Sequence, residues 1–135
     1  MNSQPLENLC KTGSLKAEAA NQREIDGLLR SAKARLRDAK NTSLAIESRF
    51  DLAYNASHAL ALAALRAQGF RSDNRYLVFQ CLQHTLGIAP EIWRILAKCH
   101  HQRNLAEYEG FLEVDDQLMA GLLAAADLLQ EKLAG

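Results

Sequence analysis

Ile46-Glu47-Ser48-Arg49-Phe50-Asp51-Leu52-Ala53-Tyr54-Asn55-Ala56-Ser57-His58-Ala59-Leu60, running on through Leu65 to Gly69, is the stretch that decides how this chain folds. Ile46, Phe50, Ala53, Tyr54, Ser57, Ala61, Ala64 and Leu65 recur at helical spacing and make one inner face. Several of them are small, which lets a neighbouring helix come close. Gly69 then stops the run, because glycine adopts the left-handed conformation that closes helices. The pattern predicts a helix over 43–68, the longest of the chain.

Reading outward, every long segment keeps the helical period and none alternates with period two. Ser3 before Pro5 opens a short helix carrying Leu6 and Leu9, and Gly13 interrupts it. Over 22–40, Ile25, Leu28, Leu29, Ala32, Leu36 and Ala39 form a stripe with basic residues opposite. After the long helix, the polar connection Arg71-Ser72-Asp73-Asn74 leads into a shorter helix with Leu77, Val78, Cys81 and Leu82 that ends near Gly87. Pro90 starts another helix, which Gly110 closes, and Asp115 or Asp116 caps the last one. Its stripe is Leu118, Leu122, Ala125, Leu129 and Leu133, and Gly121 within it suits close packing. Short connections favour antiparallel neighbours, so we expect an all-α, up-and-down bundle of four main helices plus short extra ones. One domain spans 1–135, with an N-terminal arm over 1–20 and a core bundle over 22–132.

Composition narrows the function. Sixteen Lys plus Arg balance sixteen Asp plus Glu, and a net charge of zero argues against a generic polyanion binder. The charge is uneven: Arg23, Arg30, Lys33, Arg35, Arg37 and Lys40 crowd one segment, and Glu107, Glu109, Glu113, Asp115 and Asp116 another. The first run reads as a solvated face or as a patch for phosphates, and the two runs as pairing within or between subunits. Cys10, Cys81 and Cys99 are too scattered for a disulfide framework, and no carboxylate completes a metal site around Cys81, His84 and the other histidines. Ser57 has no acid partner for a hydrolytic triad, and no strand exists to carry a phosphate loop. No metal or cofactor is assigned. Without a signal-peptide pattern or an apolar span, the cytoplasm is the expected location and no membrane the expected partner.

One segment breaks the apolar pattern. In Cys99-His100-His101-Gln102-Arg103-Asn104-Leu105-Ala106-Glu107-Tyr108-Glu109-Gly110, a stripe through Ile95, Leu96, Cys99 and Ala106 takes in Arg103. His100, Asn104, Glu107 and Tyr108 flank it at spacings of three to five. Two readings stand: a polar site, or an arginine whose stem covers the core while its head pairs with Glu107.

These residues carry a resemblance. Arg49-Phe50-Asp51-Leu52-Ala53-Tyr54, with its alanine-rich continuation to Gly69, resembles the second main helix of HEPN domains, and Arg103-Asn104-Leu105-Ala106-Glu107-Tyr108 resembles their signature helix. The resemblance covers roughly 22–132. It implies a helical bundle that pairs into a homodimer through the signature helices, with RNA or a nucleotide as ligand. Such proteins act as metal-independent endoribonucleases of toxin-antitoxin or defence systems, or beside nucleotidyltransferase partner proteins.

The family's ribonuclease motif is an arginine, a polar residue, three variable residues and a histidine. Arg103 and Asn104 match, and Tyr108 stands where the histidine falls. A histidine titrates near neutrality and a tyrosine ordinarily near pH ~10, so the substitution removes the expected base. His100, one turn before Arg103 and Asn104, is the imidazole available to replace it. The candidate catalytic residues are therefore Arg103, Asn104, Tyr108 and His100. The alternative is a non-catalytic helical dimer, a partner-binding or antitoxin-like module in which these residues serve the interface.

Overall fold

In the computed structural model, which describes residues 4–134, the elements run α1 (Gln4–Lys11), β1 (Lys16–Ala17), α2 (Gln22–Ala39), α3 (Ile46–Ala67), β2 (Phe70–Arg71), α4 (Arg75–Gln80), α5 (Leu82–Thr85), α6 (Pro90–Glu109) and α7 (Asp116–Ala134). The fold is the expected all-α bundle, with one addition. β1 and β2 form a two-residue antiparallel ladder, Lys16 against Arg71 and Ala17 against Phe70. The anticipated Ser3 cap lies outside the described residues.

Local chemistry sets the boundaries. The Asn21 side chain accepts from the Glu24 amide to start α2, and Asn74 does the same for Leu77 at the start of α4. Pro90 occupies the first turn of α6, where its missing N–H costs nothing, and Gly110 ends that helix at φ 81°. Of the two acids considered for α7, Asp115 is the cap, accepting from the Leu118 amide at 2.7 Å.

α3 is the axis of the bundle. Phe50, Tyr54, Leu60 and Leu65 are buried on it, and its alanines let α2 approach along one side while α7 packs on another. α4 and α5 close the remaining side with Val78, Phe79 and Leu82, and Leu96 and Cys99 bring in α6. Gly121 faces Ile95, whose Cγ2 would lie 3.7 Å from an added Cβ, so α6 and α7 meet closely there.

The N-terminal arm belongs to the core. Leu6 and Leu15 are buried, and Arg66 at the end of α3 holds the chain that follows. Arg66 is 1% exposed and donates to Glu24 Oε1 at 2.7 Å, to the Glu18 carbonyl at 2.8 Å and to the Ala19 carbonyl at 2.7 Å. Arg71 joins the network through Glu18 and Glu24. A buried guanidinium is tolerated only when its donors are met, and here both carboxylates and carbonyls meet them. Arg66, followed by Arg71, holds the Glu24 carboxyl below its ordinary range.

Two outcomes follow from this packing. Leu65→Ala is expected to lower the unfolding free energy by about 2–5 kcal/mol in urea titrations, since Leu65 is fully buried. The depressed Glu24 carboxyl contributes stability that is present above its ordinary pKa and lost as pH falls through the folded value. Glu24→Gln should therefore flatten the acid limb of stability measured between pH ~5 and ~2, with the wild type losing more than the variant.

Candidate functional site

Tyr54 is fully buried on α3, and a buried phenol needs a hydrogen-bond partner. It finds one across the bundle in His100 of α6, whose Nδ1 lies 2.7 Å from the hydroxyl. The other ring nitrogen is 3.2 Å from the side-chain nitrogen of Asn104, one turn on. A neutral imidazole has one donor and one acceptor, so the network assigns Nε2 as acceptor from Asn104 and Nδ1–H as donor to Tyr54. Both nitrogens are engaged, and the ring lies nearly parallel to Tyr54, 6.2 Å between centroids.

Two arginines converge on the same tyrosine. The guanidinium carbons of Arg103 and Arg75 lie 5.2 and 5.5 Å from the Tyr54 ring centroid, within cation–π range. Arg103 also faces Asp51 at 3.5 Å and Glu107 at 3.8 Å, long contacts on an exposed surface. Arg75, at the start of α4, donates to the neutral Asn55 side chain at 3.1 Å and has no carboxylate partner among the described residues. The assembly thus spans three helices: Asp51, Tyr54 and Asn55 from α3, Arg75 from α4, and His100, Arg103 and Asn104 from α6.

Burial, reinforced by Arg75, Arg103 and His101, pushes His100 below its ordinary pKa. Its neighbour His58 is pushed further, down to about 4, by burial first and then by Arg75 and His100. Its ring meets Phe79 edge-on at 6.0 Å, a packing role. Burial likewise raises Tyr54, so its phenol stays protonated. Around neutral pH the cluster holds a neutral imidazole between two permanent cations.

The structure corrects the reading of Arg103 as a charge inside a buried stripe. Its side chain is 34% exposed, and past His100 no residue of α6 is buried. The buried face of α6 instead runs through Trp93, Leu96 and Cys99, so the stripe leaves the core one turn before Arg103. The fully buried guanidinium is Arg66. Of the candidate residues, His100, Arg103 and Asn104 come together, whereas Tyr108 is 91% exposed and touches none of them through a hydrogen bond or ring contact. Among the described residues no ion pair joins the basic run over 23–40 to the acidic run over 107–116; Lys40 pairs instead with Asp127 of α7 at 2.8 Å.

Sequence reading missed Tyr54, Asp51, Asn55 and Arg75 as site residues. Asp51, Tyr54 and Asn55 share one face by their spacing of three to four, which was the signal available; Arg75 follows a polar connection and carried none. Burial pushes the Cys81 and Cys99 thiols up to about 11 and about 12, which keeps both protonated. No group of three His, Cys, Asp or Glu among the described residues is placed to hold a metal ion. Comparison of the chain with protein-family models, with curated proteins and with solved structures gives no match.

These shifts are measurable. In an NMR titration His58 should protonate with a midpoint near 4 and His100 below its ordinary 6.5. A histidine held neutral stabilises the fold fully above its unfolded pKa and progressively less as pH falls toward the folded value. His58→Gln should therefore reduce the loss of stability between pH ~6.5 and ~4, provided its own packing cost is read at pH ~7.5 and subtracted.

Proposed function

We propose that this chain is a HEPN-like RNA-associated protein of the cytoplasm, working as a homodimer and cleaving RNA without a metal at the Tyr54–His100–Arg103 cluster. The observation that carries the reading is the neutral His100, oriented by Tyr54 and Asn104 beside two arginines. Metal-independent cleavage needs a base for the 2′-hydroxyl and positive charge on the phosphate. His100 Nε2 takes the proton in place of the Asn104 hydrogen bond, the 2′-oxygen bonds to phosphorus, and the P–O5′ bond breaks. The leaving oxygen takes a proton from water, the hydroxide so formed takes back the proton held by His100, and the product ends are a cyclic phosphate and a free hydroxyl. Arg103 and Arg75 face the nonbridging oxygens, where negative charge grows. Tyr108 has no part in the proton transfer of its own subunit.

The dimer rests on the outer half of α6. Residues 101–109 have no buried member, and Tyr108 and Phe111 at its end are 91% and 56% exposed. Exposed aromatic side chains on one helix end fit a self-complementary contact, which would bring two copies of the cluster face to face and shield it from water. The same aromatics favour the second reading, a non-catalytic module docking another protein; the experiment separates the two.

Cellular RNA incubated with the wild type is expected to yield cyclic-phosphate ends, and His100→Ala and Arg103→Ala to lower the rate by about 10²-fold or more. Tyr108→Phe should leave it within about twofold. The rate should rise with pH to a plateau whose midpoint lies below the ordinary 6.5, since His100 acts in its neutral form. Sedimentation should show a dimer at micromolar concentration that Phe111→Glu weakens. No cleavage by the wild type, with dimerisation intact, gives the interaction module.

A further inference from the structure

Two arginine–aromatic pairs, far apart in sequence, interlock beside the cluster. Arg75-Tyr76 opens α4 and Trp93-Arg94 lies near the start of α6. Tyr76 meets the Trp93 indole edge-on at 6.4 Å, and the Arg94 guanidinium lies 5.7 Å from the Trp93 ring centroid. Tyr76 is nevertheless 45% exposed, so a large aromatic ring stands at the surface on a rigid base. Trp93 is buried, and its indole N–H has no acceptor among the described residues.

The charges around this ring are not neutralised by a carboxylate. Neither Arg75 nor Arg94 has a carboxylate partner among the described residues, while Arg66, Arg71 and Arg103 do. Two cations without a carboxylate partner thus stand near one exposed aromatic: Arg75 precedes Tyr76 in the chain, and Arg94 lies over the Trp93 ring that Tyr76 packs against. A ligand that satisfies both features needs an anionic group and a flat π-face next to it. A nucleotide within a single strand has both, and its bases are free to stack, unlike those of a duplex.

Position ties this surface to the cluster. Trp93 and His100 are seven residues apart on α6, two turns along the same face, or about 10 Å. Arg75 belongs to both surfaces, because its guanidinium lies over Tyr54 while its neighbour Tyr76 lies against Trp93.

We propose that Arg75-Tyr76 and Trp93-Arg94 form a stacking platform for a base of single-stranded RNA, with Arg75 holding the phosphate that leads from that base to the Tyr54–His100–Arg103 cluster. The platform rests on the RNA reading above and adds to it the strandedness of the substrate and the side chain that positions it. It selects an unpaired segment rather than a sequence, because stacking accepts any base. Tyr76 is a positioning residue, since it holds a base neighbouring the reacting phosphate.

The test uses the full chain, whose single tryptophan is Trp93, and a fluorescein-labelled oligouridylate. Wild-type binding should raise anisotropy and change Trp93 emission, and a duplex of equal length should bind more weakly. Tyr76→Ala should weaken the single strand about tenfold, while Tyr76→Phe, which keeps the stacking face, should bind like the wild type. Replacing Arg75 by Gln should lower the slope of log affinity against log salt by about 0.7, the increment of one phosphate contact on a single strand, and the tyrosine variants should leave that slope unchanged. Circular dichroism melting of each variant verifies folding, which an exposed side chain such as Tyr76 should not disturb. If Tyr76→Ala binds as the wild type does, or an abasic oligomer binds as well as oligouridylate, the platform is overturned while RNA binding at the cluster stands. A wild type that binds no RNA overturns both.

Discussion

The phenol of Tyr54 is the group on which the arrangement of α3, α4 and α6 turns. It sits with Phe50 and Phe79 in the middle of the core, where an unsatisfied hydroxyl would cost ~1–3 kcal/mol. Only a polar side chain from across the bundle relieves that cost, and Leu96 and Cys99, packed into the same core, set α6 in the register that delivers His100. The hydrogen bond therefore acts in both directions. It satisfies the core and it fixes the orientation and tautomer of an imidazole at the surface. The ring face of Tyr54 then gathers Arg75 and Arg103 at its rim, so packing and electrostatics at this place have one origin.

Helix positions were legible in the sequence because they depend on short-range chemistry. Pro90, Gly110 and the inner face of α3 act within one or two turns, and each does in the structure what its spacing implies. Long-range partners were not legible in the same way. Nothing near Arg66 in sequence announces that Glu18, Ala19 and Glu24 will surround it, since the arm returns to it only when β1 pairs with β2. Helical periodicity assigned a buried charge to Arg103, yet a periodic stripe is buried only as far as a neighbouring helix covers it. α6 outruns its neighbours after His100, and the stripe continues there without a lid.

The polar cluster was half legible for a related reason. His100, Arg103 and Asn104 share a helix, so their proximity follows from rotation alone. Tyr108 shares that helix too, but it lies one turn beyond Asn104, nearer the end of α6, and is 91% exposed. Arg75 enters from α4, whose placement against α6 depends on the apolar packing of Val78 and Phe79 and not on any polar signal.

Net neutrality, which argues against a generic polyanion binder, does not bear on a local site. At physiological salt the screening length is about 8 Å, so exposed carboxylates elsewhere on the chain barely weaken the field at Arg75. What matters is which counter-charges are in contact. Arg103 already faces Asp51 and Glu107, and to hold an anion it must exchange those long, exposed contacts for shorter charge-assisted ones. Arg75 has no carboxylate to give up, only its contacts with Asn55 and Tyr54. On the RNA reading proposed above, a phosphate would meet its least compensated charge at Arg75, and engaging Arg103 would require releasing Asp51. On that reading Arg75 would contribute most to affinity for the anion and Arg103 most to its orientation toward His100, because of the partners each arginine has before any ligand arrives.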